Sequence, residues 1–375
     1  MPDFSNRLLA RFAGQRFSYR WYSDIQLARQ GIVLEQNKEP ALSGGIQRIC
    51  SRTLDHVPID DLQEGDDIVT IARKAGIIDE NTGRPLYLLL DRARNSGCRI
   101  IIADALDDEP YISSQLAPAL EMTDQLVRGI ELAKEAVGAE SARIEIYKEL
   151  GDSPVAIGEN LGGVPVDRVG AGYPADNSLI QKHREEKASV FGACALIHLA
   201  RAVDEKIAQT TVFVTVAGDG VTTSANLEVS IDKTAGELLR QFGLSDETSR
   251  VVIGGSMRGV TITDLDSTRV TAQTRGILAM REVFKDYNYT CIGCGKCDDV
   301  CPVGLSPYYL YKFVQAGRYS MLEDFDIDLC IGCGTCSYVC PAKLKIASEI
   351  TRGKMELVQY MNAKKEKEQN EEVRA

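Results

Sequence analysis

The chain has 375 residues, of which 44% are hydrophobic and 26% are charged, and its formal net charge is -11. This length indicates two or three domains, and the composition is sufficient to bury sizeable cores. The acidic balance argues against nucleic acid as the main partner, because phosphate binding requires a basic surface. No apolar run reaches the ~20 residues that a membrane span requires, and no signal peptide is visible, so we expect a cytoplasmic protein.

The first 65 residues contain few periodic segments, and the sequence predicts no fold for them. Residues 5–17 (SNRLLARFAGQRF) alternate arginines with apolar side chains. We interpret this segment as an N-terminal helix that docks on the protein. A basic amphipathic contact with a membrane surface or a partner protein is the alternative.

Strands and helices alternate from about residue 67 onward. Residues 98–105 (CRIIIADA) and 142–147 are predicted to be buried strands, residues 116–137 a helix that ends near Gly138, and residues 190–203 a buried helix. Strands that alternate with helices are typical of a parallel α/β sheet. The sequence therefore predicts a Rossmann-like α/β domain over residues 66–207.

A second pattern follows, in which two β-branched strands precede a helix and another strand. The predicted strands are residues 210–216, 226–231 and 250–253, and the predicted helix is residues 235–242. This order resembles a β-grasp, which we assign to residues 208–265. We expect residues 268–289 to link this domain to the next.

Eight of the eleven cysteines lie between residues 291 and 340, in two runs that are each followed by proline. Both runs have the spacing C-x2-C-x2-C-x3-C-P, which is typical of bacterial ferredoxins with two [4Fe-4S] clusters. The first run contains Cys291, Cys294, Cys297 and Cys301, and the second contains Cys330, Cys333, Cys336 and Cys340. The pattern predicts an α-helical dicluster ferredoxin-like domain over residues 266–350. A charged C-terminal tail over residues 351–375 follows, and its last stretch, residues 363–375 (AKKEKEQNEEVRA), is expected to fray.

In this pattern the fourth cysteine of each run binds the cluster of the other run. We therefore assign one cluster to Cys291, Cys294, Cys297 and Cys340, and the other to Cys330, Cys333, Cys336 and Cys301. Lys296 and Thr335 hold equivalent places in the two runs, so the two cluster potentials are expected to differ. A pair of structural zinc sites is the alternative, but zinc usually takes two separate C-x2-4-C pairs or a mixture of cysteine and histidine.

Other ionisable and thiol side chains are interpreted as structural. Asp104, Asp107 and Asp108 form an acidic exit of the strand at residues 98–105 and are predicted to be solvated. The sequence contains three histidines, His56, His183 and His198, and they do not have the spacing of metal ligands. Cys98 and Cys194 are expected to be core thiols, and the sequence indicates no role for Cys50.

Between residues 71 and 344 the sequence resembles the C subunit of the Rnf electron-transport complex and its soluble relatives. These relatives include the electron-transfer protein that accompanies proline reductase and the cobalamin reductase of propanediol microcompartments. Beyond the cysteine runs, the matching segments are Glu109-Pro110-Tyr111-Ile112, Tyr173-Pro174, Leu179-Ile180, Phe191-Gly192-Ala193, residues 214–220 (VTVAGDG), residues 253–259 (IGGSMRG), Gly276-Ile277-Leu278 and residues 302–307 (PVGLSP).

The resemblance implies a flavin/NADH-type α/β domain, a β-grasp (SLBB-like) domain and a dicluster domain, and it places Glu109 near a flavin or nucleotide pocket. Family members that bind FMN and NADH carry a glycine-rich loop before this position. Here residues 78–86 (IDENTGRPL) contain one glycine and two acids, Asp79 and Glu80. A second glycine-containing loop is replaced by residues 175–178 (ADNS). Since a phosphate cradle needs residues without Cβ and dislikes negative charge, both sites are predicted to be degenerate.

The sequence therefore favours an iron–sulfur electron-transfer protein of the anaerobic Rnf C-subunit type. It would relay single electrons between a flavoprotein or ferredoxin donor and a partner reductase or a membrane complex, on which it would lie peripherally at the inner face. An FMN-containing, NADH-oxidising subunit is one alternative, so NADH dehydrogenase activity stays open. A structural subunit whose clusters only staple the fold is the other.

Overall fold

A computed structural model describes residues 46–49, 57–148, 157–169, 173–281 and 290–372. The described residues fall into two compact units, residues 46–281 and residues 290–372. The predicted N-terminal helix lies outside the described residues. Among the helices that the structure describes, none combines the length and the apolar character needed to cross a membrane.

All strands in the described residues belong to the first unit, where they form two sheets. In chain order they are β1 (Ile46–Ile49), β2 (Ile100–Ala105), β3 (Ser141–Tyr147), β4 (Asn160–Leu161), β5 (Val164–Val169), β6 (Ala188–Gly192), β7 (Thr211–Ala217), β8 (Ala225–Ser230), β9 (Arg250–Ile253), β10 (Val260–Ile262) and β11 (Gly276–Met280).

Helices occur in both units. Those of the first unit are α1 (Ile68–Lys74), α2 (Leu86–Asn95), α3 (Leu116–Glu121), α4 (Thr123–Val137), α5 (Ala175–Glu185), α6 (Ala193–Ala200), which a π-helical turn (Arg201–Glu205) extends, and α7 (Ala235–Gln241). Those of the second unit are α8 (Lys296–Asp299), α9 (Pro307–Gln315), α10 (Tyr319–Asp324), a 3-10 turn (Ile327–Leu329), α11 (Thr335–Tyr338) and α12 (Ile346–Glu372).

The first sheet has the strand order β4-β5-β3-β2-β6, and all its pairs are parallel except β4 with β5. Its core contains Ile101, Ile144 and Phe191, one from each of three neighbouring strands. Helices α4 and α6 pack closely at Gly129, where the absence of a side chain permits the approach. A Cβ at this position would lie 2.0 Å from the carbonyl oxygen of Leu196. The predicted strands and the mixed α/β class are confirmed.

Two helix predictions in this region need correction. The predicted helix 116–137 is two helices, because the backbone leaves the helical region at Met122, with φ -111 and ψ 39. The end of α4 is as predicted, since Gly138 adopts the left-handed conformation that ends helices. The predicted helix 190–203 is wrong in its first three residues, which belong to β6 and pair with β2.

The second sheet has the order β1-β8-β7-β11-β9-β10, in which β1 lies parallel to β8, and β11 lies parallel to β7. Helix α7 covers it, beginning at a capping box in which Thr234 and Glu237 each bond the other's backbone N–H. The predicted strands and helix are confirmed within one or two residues. The boundary at residue 265 is wrong, however, because β11 lies inside this sheet, and residues 46–49 are a strand rather than irregular chain.

The second unit is helical, and its core holds both apolar side chains and cysteines. Helix α12 packs against α9 so closely that a Cβ at Gly353 would lie 2.2 Å from a methyl group of Val314. The predicted domain boundary at residue 350 falls inside α12, which runs from Ile346 to Glu372, and Leu357, beyond that boundary, is buried in the core.

Candidate metal centres

The first cysteine-lined cavity of the second unit has a volume of about 400 Å³. Cys291, Cys294 and Cys297 of the first run line it, together with Cys340 of the second run. Tyr308, Tyr311, Leu344 and Ile346 supply apolar wall. Three cysteines in one loop and a fourth from a distant loop thus line one cavity.

The second cavity has a volume of about 340 Å³ and the reciprocal composition. Cys330, Cys333 and Cys336 line it with Cys301 of the first run. The structure therefore brings together both predicted sets of four cysteines. Among the described residues, no group of three or more histidine, cysteine or acidic side chains is drawn closely enough to hold a single metal ion.

Glycines and backbone amides shape the two cysteine loops. Gly295 and Gly334 have φ 74 and 81, a conformation that turns the chain into the short helices α8 and α11. The N–H of Gly293 lies 3.4 Å from the Cys291 sulfur, and that of Leu305 lies 3.3 Å from the Cys301 sulfur. Such N–H donors stabilise negative charge on a coordinated thiolate.

One buried thiol in each cavity, Cys301 and Cys297, resists ionisation. Burial raises the pKa of Cys301 to about 12, and the neighbouring Cys333 and Cys330 add to this effect. Burial is the main cause that raises the pKa of Cys297 to about 12, and the charge of the neighbouring Asp298 carboxylate is the second cause. Because iron binds the thiolate form, cluster assembly must release protons from these groups.

The acids at the end of β2 and directly after it are buried, so the prediction that Asp104, Asp107 and Asp108 are solvated is wrong. Asp107 accepts hydrogen bonds from the N–H groups of Gln115 and Leu116, and it forms a 2.8 Å ion pair with Arg275. These partners come from the start of α3 and from the residue that directly precedes β11 of the second sheet. The acidic strand exit therefore joins the two sheets.

Glu109, the predicted flavin-pocket residue, is also buried at this junction. Its carboxylate accepts hydrogen bonds from the N–H groups of Met257 and Arg258, at 2.7 and 3.2 Å. A Cβ at Gly255 would lie 2.0 Å from the Glu109 Oε2 atom, so only glycine permits this approach. The described contacts of Glu109 are thus with the turn between β9 and β10.

The loop between α1 and α2 folds its two acids inward. The Asp79 carboxylate accepts hydrogen bonds from Thr82 and, at 2.7 Å, from the N–H of Gly192. The Glu80 carboxylate accepts from the N–H groups of Cys194 and Ala195 at the start of α6, at 2.9 and 3.0 Å. Sequence reasoning missed this arrangement, because the amides come from more than 110 positions away in the chain.

Burial, and after it the adjacent Asp79 carboxylate, raises the pKa of Glu80 from its usual 4.5 to about 7. A raised acid pKa favours the folded state at low pH, and this contribution is lost as pH rises through the folded value. We expect the stability of the wild type relative to Glu80→Gln to fall by about 3 kcal/mol between pH 4.5 and pH 7. Urea midpoints of both proteins at several pH values measure it, and parallel curves would contradict it.

The remaining single residues have structural surroundings. His183 lies 3.0 Å from the buried Glu145, and His198 is buried, with its pKa lowered by burial and by nearby Arg201 to about 3. Cys98 and Cys194 are buried, which confirms the prediction of core thiols. His56 and Cys50 lie outside the described residues.

Comparison with protein families matches residues 290–344 to the 4Fe-4S dicluster domain. The chain is 28% identical over 338 residues to the C subunit of the Na(+)-translocating ferredoxin:NAD(+) oxidoreductase complex of Acetobacterium woodii, covering 84% of this chain and 75% of that one. It is 36% identical over 124 residues to the C subunit of the ion-translocating oxidoreductase complex of Rhodobacter capsulatus, covering 32% of this chain but only 23% of the relative.

A third relative is the C subunit of the proton-translocating ferredoxin:NAD(+) oxidoreductase complex of Clostridium ljungdahlii, at 24% identity, with 78% of this chain and 66% of the relative covered. Among solved structures, an NAD+-reducing [NiFe]-hydrogenase in the air-oxidised state aligns with a TM-score of 0.50 at 13% identity, over 86% of this chain and 65% of that chain. This last likeness concerns the fold alone. The chain spans less than two thirds of the Rhodobacter relative and of the hydrogenase chain.

Proposed function

We propose that this chain, an Rnf C-subunit-like iron–sulfur protein, relays single electrons through two [4Fe-4S] clusters between a redox-protein donor and a partner reductase or membrane complex. The observation that carries the proposal is the pair of separate cavities, each lined by four cysteines. Cys291, Cys294, Cys297 and Cys340 would hold one cluster, and Cys330, Cys333, Cys336 and Cys301 would hold the other.

The residues of both cavities fit such clusters. Each cavity combines thiols from two loops with apolar walls, and backbone N–H groups point at several sulfurs. When bound, the clusters supply one-electron chemistry, and the chain holds and tunes them. Ile292 and Ile331 line the two cavities and expose 70% and 40% of their surface, so each cavity has an apolar outer edge that a redox partner can contact.

We propose that the first sheet with its helices is a Rossmann-like domain over residues 66–207. The second sheet with α7 would be a β-grasp domain of the SLBB-like type that extends to residue 281. In relatives that bind flavin, the first of these would hold the nucleotide. In this chain we propose that it serves as a scaffold, for the reason that follows.

A phosphate of FMN or NADH does not fit the loop at residues 78–86. Asp79 and Glu80 fold inward and occupy the N–H groups of Gly192, Cys194 and Ala195. These amides at the start of α6 are the donors that would otherwise attract an anion. A phosphate would have to displace two buried carboxylates, and any carboxylate that stayed ionised nearby would repel it.

Partners follow from the named relatives as a proposal only. Their complexes are described as ferredoxin:NAD(+) oxidoreductases that translocate ions. We propose that this chain works on the cytoplasmic side with a ferredoxin or flavoprotein, either as a peripheral subunit of a comparable complex or with a soluble reductase. The flavoenzyme alternative differs because NADH alone would then reduce the clusters.

Anaerobic reconstitution of the full chain tests the proposal. We expect about eight irons and eight acid-labile sulfides per chain, no stoichiometric flavin, and no bleaching of the cluster absorbance by NADH alone. Bleaching is expected once reduced ferredoxin is supplied. Four irons, or zinc in their place, would contradict the two-cluster assignment, whereas bound FMN together with NADH bleaching would establish the flavoenzyme alternative.

A further inference from the structure

Thr335 is buried beside a cysteine of the second cavity, and its side-chain oxygen lies 3.2 Å from the sulfur of Cys333. A coordinated thiolate has no proton, so in the cluster-bound protein the threonine hydroxyl must be the donor of this contact. A hydrogen bond to a ligand sulfur stabilises the reduced cluster, which carries one more negative charge. The hydroxyl of Thr335 therefore favours reduction of the cluster in the second cavity.

Asp298 has the opposite character in the first cavity. One of its carboxylate oxygens lies 3.7 Å from the sulfur of Cys297, and the same oxygen accepts a hydrogen bond from the N–H of Tyr308. The position is partly shielded from water. A carboxylate beside a coordinated thiolate disfavours additional negative charge, so Asp298 opposes reduction of the cluster in the first cavity.

The two cysteine runs differ at these two places. The third cysteine of the first run is flanked by Lys296 and Asp298, and that of the second run by Thr335 and Ser337. Ser337, which replaces the aspartate, accepts a hydrogen bond from a backbone N–H at 2.8 Å and brings no charge. Lys296 is exposed, so water screens its charge more strongly than that of Asp298.

We propose that the residues flanking the third cysteine of each run set the two cluster potentials apart: Thr335 raises that of the cluster held by Cys330, Cys333, Cys336 and Cys301, and Asp298 lowers that of the other. Both effects act in the same sense. They bias a single electron toward the second cavity, which gives the relay a preferred direction. This inference rests on the proposed function.

The test is a redox titration of the reconstituted full chain, followed by electron paramagnetic resonance, in the wild type and in Thr335→Val and Asp298→Asn. Valine keeps the volume of threonine but not its hydroxyl, so the midpoint potential of the second-cavity cluster is expected to fall. Asparagine keeps an acceptor for Tyr308 but not the charge, so the potential of the first-cavity cluster is expected to rise. In each variant the other cluster should titrate as in the wild type.

Two controls separate tuning from structure. Thr335→Ser retains a hydroxyl and should titrate close to the wild type, and Lys296→Met should shift the first-cavity cluster less than Asp298→Asn does. A Thr335→Val protein with full iron content and an unshifted potential would overturn the inference, and so would an unshifted Asp298→Asn protein if the valine variant failed to assemble. A wild type that lacks one of the clusters would instead refute the proposed function.

Discussion

Cys301→Ala is expected to remove the cluster bound by Cys330, Cys333 and Cys336 and to leave the cluster of its own run in place. Cys301 lines the second cavity together with these three cysteines. The charges of Cys333 and Cys330 raise the pKa of Cys301, as expected for neighbouring thiols. Loss of one of four ligands opens the cluster to solvent and oxidation. Iron analysis should give about four irons per chain instead of about eight.

The reciprocal variant is the matched comparison. Cys340→Ala removes the fourth ligand of the first cavity and is expected to spare the second. Cys98→Ala and Cys194→Ala remove buried thiols of the first unit and should retain full iron content. If Cys301→Ala lost the cluster of Cys291, Cys294 and Cys297 instead, each run would hold its own cluster and the crossed assignment would be wrong.

The metal centres could be predicted from the sequence because the residues that define them lie close together in the chain. Two runs with fixed cysteine spacing define a chemistry whatever the rest of the chain does, and the glycines between the cysteines mark where the backbone must turn. Two strands of the first sheet, β2 and β3, were equally accessible; β2, for example, contains IIIADA, a short apolar run between helical segments. In both cases the signal spans about ten residues.

What the sequence did not reveal depends on distant parts of the chain. Strand β11 was taken for a linker because a five-residue apolar run does not say that it inserts between β7 and β9. Asp107 was predicted to be solvated, because acidic side chains are rarely buried without partners, and nothing in the sequence indicated that Asp79 and Glu80 are buried. Their partners are backbone amides and an arginine that the fold supplies from elsewhere.

Glu228 is a further buried acid whose partners come from elsewhere in the chain. Its side chain, in β8, has no exposed surface, and Arg201 lies 2.6 Å from it, while Arg48 and Thr211 lie 3.2 and 2.8 Å away. Burial raises the pKa of Glu228, but the hydrogen bond and charge of Arg201 outweigh it and lower the pKa below its usual value. The carboxylate is therefore held ionised between the second sheet and the π-helical turn that extends α6.

Arg201→Met is expected to lower the free energy of unfolding of the first unit by about 3 kcal/mol. This is near the lower limit for the loss of one partner of a buried ion pair, because Arg48 and Thr211 still contact Glu228. Methionine keeps much of the apolar stem of arginine but removes the guanidinium, whose central carbon lies 5.8 Å from the centre of the Phe213 ring, so the loss reports the guanidinium group as a whole. Without Arg201, the pKa of Glu228 should rise, and protonation should then restore part of the stability as pH falls. Urea unfolding followed by circular dichroism, at neutral pH and near pH 5, measures both effects.

Arg128→Met provides the matched control, because it removes an arginine whose ion pair with Asp204 is 43% and 45% exposed on its two sides. Exposed pairs contribute about 0–1 kcal/mol, so its urea midpoint should differ little from that of the wild type and should not depend on the protonation of a buried acid. Equal losses in the two variants would mean that burial of Glu228 adds nothing to the pair. A loss in Arg201→Met that grew as pH fell would contradict the assignment of Glu228 as the buried charge left behind.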